Sequence, residues 1–497
     1  MEFSFKTRDL TFTKDLPATE EAVMKEAGAL LLDMDDAPDY IRITDETGDE
    51  ARFKVGKRGT YVKDGVKRPS FYVTVESYGL KLSPAEYSDA YLTCINTESN
   101  NYKYYWLKPN NAGGVTKSVG ATYGRIGSDR NDAFGTKDLQ TPYEPYLYWI
   151  RYYEKLSKGY IDQTDIFLST EDAKVTKDEE NSDDEKPVVK KDVNLTSAAL
   201  YELLMGYAKH VVKSNLKSQT ISARQVEKAW EIWKELCEKK TLKEFNDKLT
   251  ELVTLSPRKC RFVTELLAVK TSDFVSIINR EESLINAMAA CVTGKPVKET
   301  SDNTPSFDDF GIEVFKATDK QREKVMDKLS PELRKKVKNI YRVIPKAQKE
   351  KFNAYLKKNK IKKVKELWHG SRNENWFNIM KTSLSLNPNA VITGKMLGNG
   401  IYFAPSSMKS WGYTSYSGSY WAKGRSDTAF MGLFAAAYGT PLDVYSNIRH
   451  YSQAELDRTH KNCVHAHAGA GGFLRNDEIV FYDENALLLN YIVEFAA

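Results

Sequence analysis

The sequence runs to 497 residues with 73 Lys and Arg against 68 Asp and Glu, 41% hydrophobic and 28% charged, which excludes wholesale disorder. At about 100–200 residues per domain, several domains are expected. The net charge of +5 lets a local patch hold nucleic acid but makes no case for it overall. No run reaches the ~18 apolar residues of a spanning helix. The start, Met1-Glu2-Phe3-Ser4-Phe5-Lys6, lacks the apolar stretch of a secretion signal, so neither a membrane span nor export is expected. The five cysteines (Cys94, Cys237, Cys260, Cys291, Cys463) include no CxxC pair. That argues against a zinc module or a disulfide framework and for a reducing compartment, the cytosol or nucleus.

Residues 1–84 are strand-rich and suggest no known module; Phe71-Tyr72-Val73-Thr74-Val75 is the clearest strand. Tyr102-Lys103-Tyr104-Tyr105-Trp106-Leu107 reads as a second strand, followed by the turn cluster Asn110-Asn111-Ala112-Gly113-Gly114. A helix is expected over Pro145–Leu156, with Tyr148, Ile150, Tyr152 and Tyr153 crowding its faces. From Glu171 to Asp192 the composition turns acidic, without an aromatic residue, and residues 169–194 read as a linker unable to offset the entropy of ordering.

Beyond it the period becomes 3.6. In Ser222–Lys240 the stripe Val226, Ala229, Trp230, Trp233, Leu236 and Cys237 marks a buried face, with Ser222 and Gln225 as a capping box. Thr241 and Glu244 repeat that signal ahead of Leu242, Phe245, Leu249 and Leu252, and Ser256-Pro257 stops the helix. Residues 195–300 therefore form an all-helical region, its Trp pair serving packing. Residues 301–497 read as mixed α/β. The Lys-rich stretch Lys346–Lys365 is read as a solvated helix face rather than a nucleic-acid patch or localisation signal.

Three elements of the C-terminal region combine into a candidate site. Trp368-His369-Gly370-Ser371-Arg372 ends a strand ahead of the apolar helix face of Trp376, Phe377, Ile379 and Met380. His offers a hydrogen-bonding ring, Gly permits close backbone approach, and Ser adds a hydroxyl. Gly398-Asn399-Gly400-Ile401-Tyr402-Phe403-Ala404 precedes Lys409-Ser410-Trp411-Gly412-Tyr413; two glycines before an aromatic pair suggest approach to a flat ring. Asn476-Asp477-Glu478-Ile479-Val480-Phe481-Tyr482-Asp483 places carboxylates on an apolar strand. His465 and His467 in the intervening loop are spaced for a β-strand, and with no third ligand in view no metal site is expected.

In this order the elements resemble the poly(ADP-ribose) polymerases of the diphtheria-toxin-like ADP-ribosyltransferase class. Their His–Tyr–Glu triad falls on His369, Tyr402 and Glu478, with Asp477 the alternative at the last position. Lys409-Ser410-Trp411-Gly412-Tyr413 is similar to the family's KSANY. Residues 195–300 look like the helical regulatory domain of DNA-responsive members. Residues 85–168 look like a WGR domain, in which Tyr123-Gly124-Arg125 replaces the Trp-Gly-Arg signature.

The resemblance implies a multidomain α+β protein: a small β-rich WGR-like domain, an all-α regulatory bundle, and a mixed α/β transferase fold with a split antiparallel sheet. It implies NAD as substrate, no metal, protein acceptors (the enzyme itself among them), DNA ends or breaks as partners, and a nuclear place in a eukaryote. His369, Tyr402 and Glu478 would be catalytic; His369, Gly370, Ser371, Arg372, Tyr402, Ser410 and Tyr413 would bind NAD; Lys409 would assist the acceptor; Tyr123 and Arg125 would touch DNA. The alternatives are transfer of a single ADP-ribose and an inert nucleic-acid-binding scaffold.

Overall fold

The computed structural model describes residues 1–32, 40–63, 66–96, 101–126, 137–138, 142–167, 194–217, 221–293, 304–386, 396–417, 426–446, 448–472 and 474–496. Nearly all of the acidic linker lies outside the described residues. The chain divides into two compact units, Met1–Ala173 with Val253–Leu267, and Lys174–Leu252 with Ala268–Ala497.

In the first unit, a five-stranded antiparallel sheet orders its strands Thr11–Asp15, Glu2–Lys6, Tyr40–Asp45, Glu50–Lys63 and Val66–Tyr78. Alternate residues Phe3 and Phe5, Ile41 and Ile43, Phe53 and Val55, and Phe71 and Val73 point to one buried face, as the two-residue period of a strand requires. The helix Glu20–Ala29, capped by the Thr19 side chain, covers that face with Val23, Met24 and Ala27. A second five-stranded sheet contains Ala90–Asn96, Asn101–Ala112 and Val115–Arg125. Tyr123 stacks on Tyr105 at 5.8 Å and packs against that sheet's core, and Arg125 pairs in register with Lys103. The helix expected over Pro145–Leu156 begins with a 3-10 turn at Pro145–Leu147 and is α-helical over Tyr148–Leu156.

In the second unit the helices are α1 (Leu195–Asn215), α2 (Ala223–Glu238), most of α3 (Leu242–Leu255) and α4 (Phe274–Thr293). The Ser222 hydroxyl caps α2 by accepting from the Gln225 N–H at 3.0 Å, and α3 stops ahead of Ser256-Pro257. Trp233 is fully buried, and its indole N–H donates to the Ile278 carbonyl at 2.9 Å. Trp230 departs from the expected stripe: it stays at the rim, edge-on to Trp233 at 5.4 Å, while Ile232 on the other flank turns inward. α1 and α4 pack on short helical segments that flank the sheets that follow. Tyr201 meets Phe307 and Phe377 edge-on, the Ser197 hydroxyl accepts from the Phe307 N–H, and the Ser283 hydroxyl donates to Glu374 at 2.7 Å.

Those sheets comprise β1 (Ile312–Lys316), β2 (Val337–Pro345), β3 (Lys365–Gly370), β4 (Ile401–Phe403), β5 (Thr428–Ala436), β6 (Pro441–Val444), β7 (Cys463–Ala466), β8 (Glu478–Phe481) and β9 (Leu487–Ala496). One is five-stranded and antiparallel, in the order β1-β2-β9-β5-β3; the other is four-stranded, β4-β8-β7-β6, with only β6 and β7 parallel. An isolated antiparallel bridge, Trp368 to Ala404, joins them. The protein is thus a multidomain α+β chain with a split sheet. In the Lys-rich stretch, Lys346–Lys358 is a helix that buries Phe352 and Tyr355 and turns its lysines outward, the solvated face expected of it. Among the described residues, no helix is long and apolar enough to cross a membrane.

Candidate active site

The bridge between the sheets sets the site. Trp368 and Ala404 exchange backbone hydrogen bonds at 3.2 and 3.3 Å, which lays the end of β3 beside the end of β4. In β4, Phe403 pairs with Ile479 of β8, so the start of β8 reaches the same level. His369, Tyr402 and Glu478, distant in the chain, come together there because three strand ends meet. The His369 Nδ1–H donates to the Tyr402 carbonyl at 3.2 Å; a carbonyl only accepts, so the hydrogen resides on Nδ1 and Nε2 carries the lone pair. Burial pushes the imidazole pKa down to about 4 against the smaller opposing effect of that bond, leaving a neutral ring at physiological pH.

Glu478 is nearly buried and forms an ion pair with Lys409, whose Nζ lies 2.5 Å from Oε1. Lys409 sits on the short helix Ser407–Trp411, and its side chain is 15% exposed. It is a partner of the candidate catalytic carboxylate rather than a surface lysine. The Tyr402 and Tyr413 phenols are both raised above their ordinary values, first by burial and then by the Glu478 charge, which places both near that carboxylate. The Tyr402 hydroxyl is engaged twice, donating to the Gly398 carbonyl at 2.9 Å and accepting from the Leu397 N–H at 3.0 Å. It therefore offers the site its ring rather than a free hydroxyl. Tyr413 is 59% exposed, an open aromatic face. The Ser410 hydroxyl donates to the Trp368 carbonyl at 3.0 Å and keeps lone pairs for a further donor.

A family model, the poly(ADP-ribose) polymerase catalytic domain, matches residues 313–497. The chain is similar to the poly(ADP-ribose) polymerase-like protein 100L of Invertebrate iridescent virus 6, at 30% identity over 176 residues, 34% of this chain and 90% of that one. The chain belongs to the poly(ADP-ribose) polymerase family. It is also similar to human poly(ADP-ribose) polymerase 2, at 41% identity over 76 residues, 15% of this chain and 12% of that protein. This poly(ADP-ribose) polymerase-family chain is an NAD-dependent ADP-ribosyltransferase, with NAD as its substrate.

The polymerase-family pocket explains its glycines differently from the sequence reading. A Cβ on Gly370 would lie 1.9 Å from the Ser410 carbonyl oxygen, so this glycine lets the helix of Lys409 and Ser410 press onto β3. A Cβ on Gly400 would strike the Val480 side chain at 2.2 Å, and Gly398 has a φ of +95° with Tyr451 backbone at 2.7 Å. Both glycines serve the packing of β4 against its neighbours rather than approach to a flat ring.

The Ser371 hydroxyl accepts from Asn375 at 3.1 Å, and Arg372 donates to the Thr414 carbonyl at 2.6 Å. Asn373, also missed in the sequence, is buried; its N–H donates to the Ser415 hydroxyl at 2.8 Å and its side-chain amide to the Thr428 carbonyl at 2.8 Å. A single asparagine in a short 3-10 turn has no periodic signature by which it could have been found.

Asp477, the alternative to Glu478, turns away from the pocket. Its Oδ2 lies 3.0 Å from His465 Nε2, and its Oδ1 accepts from the Ala468 N–H at 2.8 Å. Burial would raise its pKa, but that N–H and His465 hold it below the ordinary value.

Proposed function

We propose that the domain passes ADP-ribose from NAD to protein acceptors and on to growing chains, and that DNA ends switch it on. The observation that carries this reading is the Glu478 carboxylate, nearly buried, paired with Lys409 and set beside Tyr402 and Tyr413 where β3, β4 and β8 meet. Breaking the bond from nicotinamide to ribose builds positive charge at the ribose carbon, and a fixed, largely buried carboxylate stabilises that charge. In this reading Glu478 bonds a hydroxyl of the nicotinamide ribose, steadies the cation and polarises the incoming hydroxyl, with Lys409 aiming the carboxylate toward the acceptor side.

The remaining residues position NAD. The His369 Nε2 lone pair accepts from a ribose hydroxyl. The Gly370 backbone and the Ser410 hydroxyl hold the carboxamide, Tyr413 stacks on the nicotinamide with its open ring, and Tyr402 walls the pocket. Ser371 and Arg372, steadied by Asn375 and Thr414, line the adenosine side.

Regulation follows from how the helices are tied down. Glu374 lies in the 3-10 turn that follows the end of β3 and Ser371-Arg372, and is held by Ser283 of α4, so a change in the helical region reaches the NAD-binding segment. In this reading residues 195–300 act as a regulatory domain, and a WGR-like domain reads a DNA end through Tyr123 and Arg125.

The test is full-length protein incubated with labelled NAD, with and without broken DNA, the products resolved by size. A ladder that lengthens with broken DNA is expected. A single unit of transfer would replace polymer formation by mono-ADP-ribosylation. Equal labelling without DNA would remove the DNA switch, and DNA binding without label would leave the inert scaffold.

A further inference from the structure

The opposite side of the four-stranded sheet gathers a second group of polar side chains that the transfer reaction does not use. Asp443 of β6 and His465 of β7 are register partners. His467 lies two residues on and therefore shares their face, with its N–H donating to the Val444 carbonyl to prolong the ladder. Asp477 enters from the residue just before β8. His467 Nε2 is 2.8 Å from Asp443 Oδ1, and His465 Nε2 is 3.0 Å from Asp477 Oδ2. The second nitrogens are near as well: His465 Nδ1 is 3.9 Å from Asp443 Oδ1 and His467 Nδ1 is 3.8 Å from Asp477 Oδ2. One ligand atom from each of Asp443, His465 and His467 falls within 4.8 Å of the others. The third ligand that the sequence did not reveal is thus Asp443, delivered by a parallel neighbour strand.

We propose that Asp443, His465, His467 and Asp477 bind one divalent transition-metal ion of the zinc type. Asp443, His465 and His467 already converge, and Asp477, 3.0 Å from His465 Nε2, adds a fourth donor to the N and O set that zinc takes in a tetrahedral shell. Imidazole donors favour zinc and its neighbours over magnesium or calcium, which prefer oxygen shells. The surroundings are those of a metal-ligand histidine. His465 is 7% exposed, and the buried Tyr438 hydroxyl lies 2.8 Å from its Nδ1; such an outer contact fixes the ring and its tautomer. With Nε2 facing Asp477, binding needs only the tautomer that carries its hydrogen on Nδ1, which then donates to the Tyr438 oxygen. The His467 ring is braced by stacking on Tyr445 at 4.3 Å. Two carboxylates balance the charge of the ion, and the Lys365 ammonium is held over the Tyr438 ring at 3.7 Å. The ion would clasp β6, β7 and the entry to β8, and so steady the strand that carries Glu478.

Full-length protein stripped with a chelator is titrated with cobalt(II), whose absorption reports a tetrahedral N/O site, and then with zinc in competition. One ion per chain is expected, zinc displacing cobalt, with zinc raising the thermal midpoint. Asp443 is exposed and His467 half-buried, so Asp443→Asn and His467→Gln are the variants that spare the fold, which an unchanged metal-free midpoint verifies. Each should weaken binding about tenfold or more and abolish the zinc-dependent rise. Absent stoichiometric binding, or binding that both variants leave intact, overturns the site and leaves a hydrogen-bonded cluster only. The readout needs no NAD, so its failure is separate from that of the transferase reading.

Discussion

Asp477 and Glu478 are consecutive carboxylates in opposite surroundings. Glu478 is nearly buried, paired with a lysine and close to two tyrosines; Asp477 faces a histidine and a backbone N–H at the rim of the sheet. Strand alternation, not residue type, assigns them to different sides. One side of the sheet carries the transferase pocket and the other a cluster suited to a cation, so a one-residue shift in the reading of this strand would exchange two unrelated chemistries.

The comparison breaks most sharply at Glu478→Gln. Removing the charge aimed at the ribose carbon should lower single-turnover transfer by about 10²-fold or more, while NAD affinity from calorimetry stays within a few-fold. A larger loss from Asp477→Asn than from Glu478→Gln would invert the assignment of the two sides. Gly370→Ala should come next. The new methyl would meet the Ser410 carbonyl at 1.9 Å, and forced overpacking costs about 1–3 kcal/mol. Thermal unfolding should register a drop of several degrees, with weaker NAD binding, because the loop and the Lys409 helix must separate.

A pH series sharpens the role of His369. Its pKa in the fold lies below the ordinary 6.5, at about 4. The sign follows from linkage: the neutral ring's contribution is complete above about 6.5 and is lost as pH falls through about 4. NAD affinity should be flat from pH 8 to about 5.5, then fall roughly tenfold per unit below about 4, because a protonated Nε2 can no longer accept. A midpoint near 6.5 in the NAD titration would show that the ring is solvated and not held as described.

Ser283→Ala probes the helical region more gently than removing it, which would strip Tyr201 from Phe307 and Phe377. Loss of a hydrogen bond to a buried carboxylate costs about 1.5–3 kcal/mol at most. DNA-free turnover should rise a few-fold if the helices restrain the loop; an unchanged or lower rate in folded protein would remove that restraint from the mechanism.

What could be read in the sequence was local. The caps at Ser222 and Thr241 and the stop at Ser256-Pro257 depend on neighbours a few residues away, and the helices obey them. His369, Tyr402 and Glu478 were picked out by motif and order, while the reason they meet, the Trp368–Ala404 bridge, is a long-range pairing with no sequence mark. The glycines were read for ligand approach because nothing near them in the chain shows that Ser410 or Val480 will press on them. The ion pair of Lys409 leaves no mark in the sequence because its partner lies far along the chain. The Asp443 ligand was invisible for the same reason: its neighbour His465 is reached through a parallel crossover.

The smallest expected effect tests the far side of the comparison. Tyr438→Phe removes one hydroxyl from His465 Nδ1 and nothing from the pocket around Glu478. The buried nitrogen loses its partner, at a cost of about 1–3 kcal/mol, visible as a lowered unfolding midpoint. If the cluster holds a metal, the ring also loses its preferred tautomer, and affinity for cobalt(II) should fall about 10-fold or more, the usual price of an outer-shell contact. If the cluster is only hydrogen-bonded, stability falls and no metal-dependent signal changes. The two sides are then separable by measurement: Glu478→Gln abolishes transfer, whereas Tyr438→Phe lowers the midpoint and changes transfer far less. Equal loss of transfer from both would mean that the two faces of the strand are mechanically coupled through β8, and that the second cluster is a positioning device for the first.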